Sequence, residues 1–95
     1  MILSFKAKPW LYDGHAAWHF ITLPKTAAQS IRGVYKRTRG WGSVPVRATI
    51  GNTHWQTSVF PDKKTGSFVL PLKAEVRKRE GITLKTNVSL TLIIQ

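Results

Sequence analysis

The residues with chemistry to offer are few: three histidines, His15, His19 and His54, and four acids, Asp13, Asp62, Glu75 and Glu80. Catalysis by paired carboxylates needs two acids held about 5 to 9.5 Å apart in a cleft. Each acid here falls in a turn or on an exposed helix face by its surrounding pattern. A serine nucleophile needs a histidine that an acid orients; Ser58 with His54 is the best local pair, and alternation assigns both to a hydrophilic outer strand face. A metal set built from His15, His19, His54 and Asp13 fails on geometry, because His15 sits in a turn and His19 in a strand. Their spacing of four aligns ligands only on a helix. No glycine-rich phosphate loop leads into a lysine and a helix. The expectation is a protein that binds rather than catalyses, with no metal and no cofactor.

What it would bind follows from charge. Fifteen lysines and arginines against four acids give a formal net charge of +11, enough to attract polyanions over a Debye length of about 8 to 10 Å. The stretch "YKRTRGWGSVPV" gathers Lys36, Arg37 and Arg39 ahead of Trp41, which stands between two glycines. Arg47 projects outward on the following strand if Val46 and Ala48 point in. Lys73, Arg77 and Lys78 form a second basic surface. Phosphates need such cations, and an exposed indole stacks on an unpaired base. The same glycines equally let Trp41 fold back and plug one end of a barrel, where burying an indole removes a large apolar area from water. Trp10, Trp18 and Trp55 are assigned to core or barrel rim rather than to stacking. The expected partner is nucleic acid or another polyanion, with a protein partner or a homodimer as the alternative reading.

The elements that position these residues belong to one domain, 1–95, since a chain of this length cannot divide its core in two. With 42% hydrophobic residues, the core suffices for an ordered fold. Cysteine is absent, so no disulfide contributes and a cytoplasmic setting is expected. No apolar run approaches the roughly 20 residues that span a bilayer, and "MILSFKAK" is a poor export signal. Neither export nor a membrane partner is expected.

Leu3, Phe5 and Ala7 alternate with Ser4, Lys6 and Lys8, the period of a strand with one wet face, and Pro9 ends its pairing. "YDGH" reads as a hairpin turn, with Ala17 to Leu23 pairing back. After Pro24 the period becomes helical: Ala27, Ala28, Ile31, Val34 and Tyr35 share one face. Thr26 and Gln29 have capping-box spacing. Val44, Val46, Ala48 and Ile50 mark a strand, Gly51 and Asn52 its turn, and Trp55, Thr57 and Val59 the inward side of a return strand that stops at Pro61. A loop "PDKKTG" and a short strand from Ser67 to Leu70 follow. Pro71 suits the first turn of a helix striped by Leu72 and Val76. Glu75 and Arg79 are spaced for an ion pair, and Gly81 with Ile82 for a left-handed stop. Val88, Leu90, Leu92 and Ile94 face inward on the last strand. The fold class expected is mainly β: a small closed barrel of about six strands with two short helices, closure removing exposed edges.

"GWGSVPVRATIGNTHWQTSVFPDKKTGSFVLPLKAEVRKREGI", Gly40 to Ile82, together with "FKAKPW", "WHFITLP" and the alanine-rich helix, resembles the bacterial domain-of-unknown-function family nineteen-oh-five. The resemblance implies a double-split β-barrel, the architecture of swapped-hairpin transcription regulators and antitoxins, and by that analogy a homodimer. Members also occur fused to segments linked to bacteriocin resistance, and the family has no settled activity. One departure is visible: Lys85 and Thr86 stand where a Gly-Asp turn is expected before the last strand.

The two readings of Trp41 separate in a stability measurement. Chemical denaturation of Trp41→Ala should show a loss of about 3 kcal/mol or more if the ring is buried, and well under about 1 kcal/mol if it faces solvent.

Overall fold

Pro9 cannot donate to a strand ladder, and it divides the N-terminal apolar run into two strands that part company. They are β1 (Ile2–Ala7) and β2 (Trp10–Leu11). The chain continues through β3 (His19–Thr22), α1 (Lys25–Val34), β4 (Val44–Ile50), β5 (Thr53–Asp62), β6 (Ser67–Pro71), α2 (Ala74–Glu80) and β7 (Val88–Ile94). The computed structural model describes residues 1–12, 18–35 and 42–94. The "YDGH" turn, apart from Tyr12, lies outside these residues, as do Lys36, Arg37, Arg39 and Trp41.

The described strands form one sheet in the order β1-β7-β4-β5-β6-β3-β2, every pairing antiparallel. Its two edges, β1 and β2, are consecutive in the chain and joined only by Lys8 and Pro9. Laid flat, strands about 4.8 Å apart would hold those edges nearly 30 Å from one another. Three Cα steps, from Ala7 to Trp10, reach at most about 11 Å. The sheet must therefore curl until its edges approach at that end, and no ladder joins β1 to β2 among the described residues. The result is an open half-barrel of seven strands, which corrects the expected closed barrel of six. It also corrects the expected first hairpin: β1 pairs with β7, from Ile2↔Ile93 to Ala7↔Val88, whereas the strand paired with β3 is β2, through Trp10↔Phe20 and Leu11↔His19.

Alternation decides what the curl encloses. Val44, Val46, Ala48 and Ile50 of β4 and Val88, Leu90, Leu92 and Ile94 of β7 are buried in one cluster with Ile21, Val59 and Leu70. Leu3, Phe5, Ala7 and Trp55 pack partly buried against it. Helix α1 contributes Ala27, Ala28 and Ile31 to the same core, and its first turn, Thr26 and Ala27, lies across a cleft from Leu3 and Phe5 of β1. Small residues let α1 lie close beside the opening of the sheet. Val34, expected on that apolar face, is instead 61% exposed, because the helix ends there.

The other differences share a physical cause, the position of prolines relative to ladders. Pro24 is the N-cap of α1 and no side chain caps it; Thr26 is already inside the helix, so the expected capping box with Gln29 does not form. Strand β5 runs through Pro61 to Asp62 rather than stopping, since the β4 ladder ends at Val44↔Val59 and Pro61 has a partner on one side only, Phe68 of β6. Pro71 ends β6, paired with Phe20, instead of opening α2. Leu72 is buried as expected, but ahead of the helix.

Helix α2 is fixed at both ends. The Leu72 N–H donates to the His19 carbonyl at 2.9 Å. At the far end Gly81 takes φ +62° and the N–H of buried Ile82 donates to the Arg77 carbonyl at 2.9 Å, the left-handed stop read from sequence. Glu80 reaches the β4–β5 turn, where the Thr53 hydroxyl donates to its Oε2 at 2.6 Å. Gly51 in that turn has φ +56°, and a Cβ there would run into the Glu80 carboxylate. The turn before β7, where Lys85 and Thr86 replace Gly-Asp, is closed by threonines instead. The Thr83 N–H donates to Thr86 Oγ1 at 2.9 Å, and the Lys85 N–H to Thr83 Oγ1 at 3.2 Å.

The two glutamates of α2 should differ in worth. Glu75 bridges Arg79 at 3.4 Å with both side chains about two-thirds exposed, so Glu75→Ala should cost under about 0.5 kcal/mol. Glu80 is a charged acceptor for the buried Thr53 hydroxyl, and Glu80→Ala should cost about 1.5 to 3 kcal/mol. Urea unfolding of the two variants beside the parent protein measures both.

Candidate functional site

The structure separates the basic residues picked out by sequence. Arg47 lies exposed on the face of β4 turned away from the core, its register partners being Gln56 on β5 and Ile93 on β7. Lys73, the N-cap of α2, and Arg77 come together as walls of one cleft with Trp18, His19, Pro71 and Leu72. Lys78 is exposed and does not line that cleft. Arg77 is half-buried and held in place: its Nε donates to the Leu72 carbonyl at 3.2 Å, and its Nη1 lies 3.4 Å from His19 Nε2. Arginine has donors only, so His19 Nε2 is the acceptor of that contact. Among the described residues the guanidinium makes these two contacts, and the group lines the cleft.

The strongest feature comes from tryptophans that the sequence assigned to core or barrel rim, and two of them lie outside the core. On the β2–β3 ribbon, Trp10 pairs with Phe20, and the Tyr12 N–H donates to the Trp18 carbonyl at 2.8 Å. Alternation then puts Trp10, Tyr12, Trp18 and Phe20 on one face, opposite buried Ile21. Phe20 is the hub: its centroid is 5.3 Å from Trp10, 6.1 Å from Tyr12 edge-on, and 6.0 Å from Trp18 with planes only 21° apart. These offset arrangements are the favourable ones for rings. Trp10 is further anchored by its Nε1–H, which donates to Thr22 Oγ1 at 2.8 Å. Yet Trp10, Tyr12 and Trp18 remain 37%, 50% and 52% exposed. Of the expected core or rim positions, Trp10 and Trp18 are therefore outside the core, on the edge ribbon, and Trp55 alone of the three packs against the core.

The reason lies in the position of the ribbon. It forms the edge of the sheet, one side of it faces the core, and no described element covers the other. Phe60, 39% exposed, lies farther across the same outward surface, its partner Val69 also pairing with Thr22. A cleft flanks the aromatic ridge on each side. The one of 280 Å³ contains Trp18, Lys73 and Arg77. The other, of 610 Å³, contains Trp10, Tyr12, Asp62 and Lys64. Asp62 is occupied by its own turn, accepting from the Lys64 N–H at 3.3 Å and the Thr65 hydroxyl at 2.9 Å. A sequence signal for the ridge existed: Trp-x-Tyr precedes the Asp-Gly pair and Trp-x-Phe follows it, the two placed symmetrically about His15.

The catalytic pairing of Ser58 and His54 does not assemble. Four residues along a strand separate them by about 13 Å, and His54 Nδ1 is hydrogen-bonded to Thr49 Oγ1 at 2.9 Å. No group of three or more histidines and acids that could hold a metal occurs among the described residues, and no described helix is long and apolar enough to cross a membrane. His15 and Asp13 lie outside the described residues.

Fold and site together define a small half-barrel domain with a basic surface and an aromatic ridge on its outward face. The chain belongs to the family Domain of unknown function (DUF1905), whose model matches residues 5–92. No curated protein matches it.

Proposed function

We propose that this domain is a non-catalytic binding module that associates electrostatically with nucleic acid, and that it does so in the cytoplasm. One observation carries the reading: fifteen cations stand against four acids, and the three acids among the described residues are each engaged within the fold. Asp62 closes its own turn, Glu80 holds the β4–β5 turn, and Glu75 makes the single ion pair found among the described residues. With those acids already counted the chain is left at a formal +11, and a phosphate chain supplies the neutralising charge the protein lacks. Lys36, Arg37, Arg39 and Arg47 are the first contacts, with Lys73, Arg77 and Lys78 on α2 as auxiliaries.

Fluorescence anisotropy with labelled single- and double-stranded DNA and RNA across a salt series tests this. Neutralising four phosphates should make the logarithm of affinity fall against the logarithm of salt with a slope of about −3 to −4. Arg37→Glu/Arg39→Glu should flatten the slope and abolish binding near physiological salt. Absence of salt-dependent binding at low ionic strength would sink the proposal.

A further inference from the structure

We infer that the aromatic ridge of the β2–β3 ribbon is a base-stacking platform, and that the domain's ligand is single-stranded rather than duplex nucleic acid. This rests on the nucleic-acid reading above and specifies its surface and substrate class.

Exposed aromatic clusters remove little apolar area from water while ordering large side chains, and contiguous exposed apolar patches mark interaction sites. Here three rings stay substantially open although the chain has a core to bury them in. Their geometry is fixed rather than loose: Trp18 lies nearly parallel to Phe20, and Trp10 is held by the Thr22 hydroxyl. A rigid indole resting with one face against another ring presents a flat, preorganised surface, which lowers the ordering cost of binding.

Charge then selects the occupant. The clefts on the two sides of the ridge carry Lys73 and Arg77 on one side and, on the other, Lys64 beside Asp62, whose carboxylate is bonded within its own turn. Cations flanking a row of π-faces match a strand whose phosphates and bases alternate. An apolar protein partner has no use for those cations, and a second copy of this chain would bring +11 against +11. A duplex offers phosphates, but its bases are stacked on one another and out of reach of a solvent-facing indole. A single strand lays successive bases on Trp18 and its neighbours while Arg77, held at fixed orientation by the Leu72 carbonyl and His19, takes a phosphate. Stacking reads the π-face that every base has, so little sequence preference follows.

The test uses the full chain with labelled oligo(dT), an abasic oligomer of the same length, and a duplex, with Trp18→Ala and Trp18→Phe as variants. Trp18→Ala should weaken oligo(dT) binding by about 5- to 100-fold and leave abasic binding and its salt slope unchanged. Trp18→Phe should restore most of the loss, and oligo(dT) should quench tryptophan fluorescence where the abasic oligomer does not. Circular dichroism and thermal melting of both variants exclude misfolding as the cause. Equal affinity for oligo(dT) and the abasic oligomer, with Trp18→Ala neutral, overturns the platform while the electrostatic reading stands. No binding to any oligomer overturns both. If Trp18→Ala instead converts a dimer to a monomer by light scattering, the ridge is a self-association surface and the inference fails.

Discussion

The two-residue link at Lys8 and Pro9 is the constraint on which the rest of the structure depends. It joins strands at opposite edges of one seven-stranded sheet, and its short reach forces the sheet to curl. Curling gives the sheet an inside, where the alternating apolar residues of β4, β7 and β1 collect, and an opening, beside which the small-residue face of α1 is buried. The same link makes β2 an edge strand. Its hairpin with β3 therefore keeps one face that no described element covers, and the aromatic ridge sits on that face.

Proline placement shows how the fold tolerates five residues that cannot donate to a ladder. Pro45 lies in β4, one of the inner strands, but the β7 ladder begins only at Val46↔Ile94, so no bond on that side is lost. Pro61 and Pro71 likewise fall where their strand has a single neighbour. In each case the interruption lies just beyond the point where one neighbouring ladder stops, which keeps the sheet continuous at no large cost in unsatisfied backbone groups.

The strands whose two faces differ in polarity were legible in the sequence. β1, β4 and β7 each show alternation over six or seven residues, and their burial follows it. The stop at Gly81 and the Glu75–Arg79 pair were legible because they depend only on local spacing. Strand partners were not, since the pairing of Ile2 with Ile93 rests on contacts at the far end of the chain. The exposure of the ridge was not legible for a related reason. Trp10 and Trp18 carry the hydrophobicity of core residues, and only the position of their ribbon at the sheet edge decides that they face outward. Of Lys73, Arg77 and Lys78, which sequence spacing grouped on one surface, Lys73 and Arg77 line one cleft and Lys78 does not, and the spacing did not anticipate that Trp18 would wall it.

On the function proposed above, the half-barrel receives a single nucleic-acid strand along the β2–β3 ridge. NMR mapping of backbone amide and indole N–H resonances during titration with unlabelled oligo(dT) tests it most directly. The indoles of Trp10 and Trp18 and the amides from Lys73 to Arg77 should move together, while Ser4 and Thr91, paired on the outward face of β1 and β7, stay in place. Perturbations confined to the β1–β7 face, or spectra that do not change at all, would contradict it.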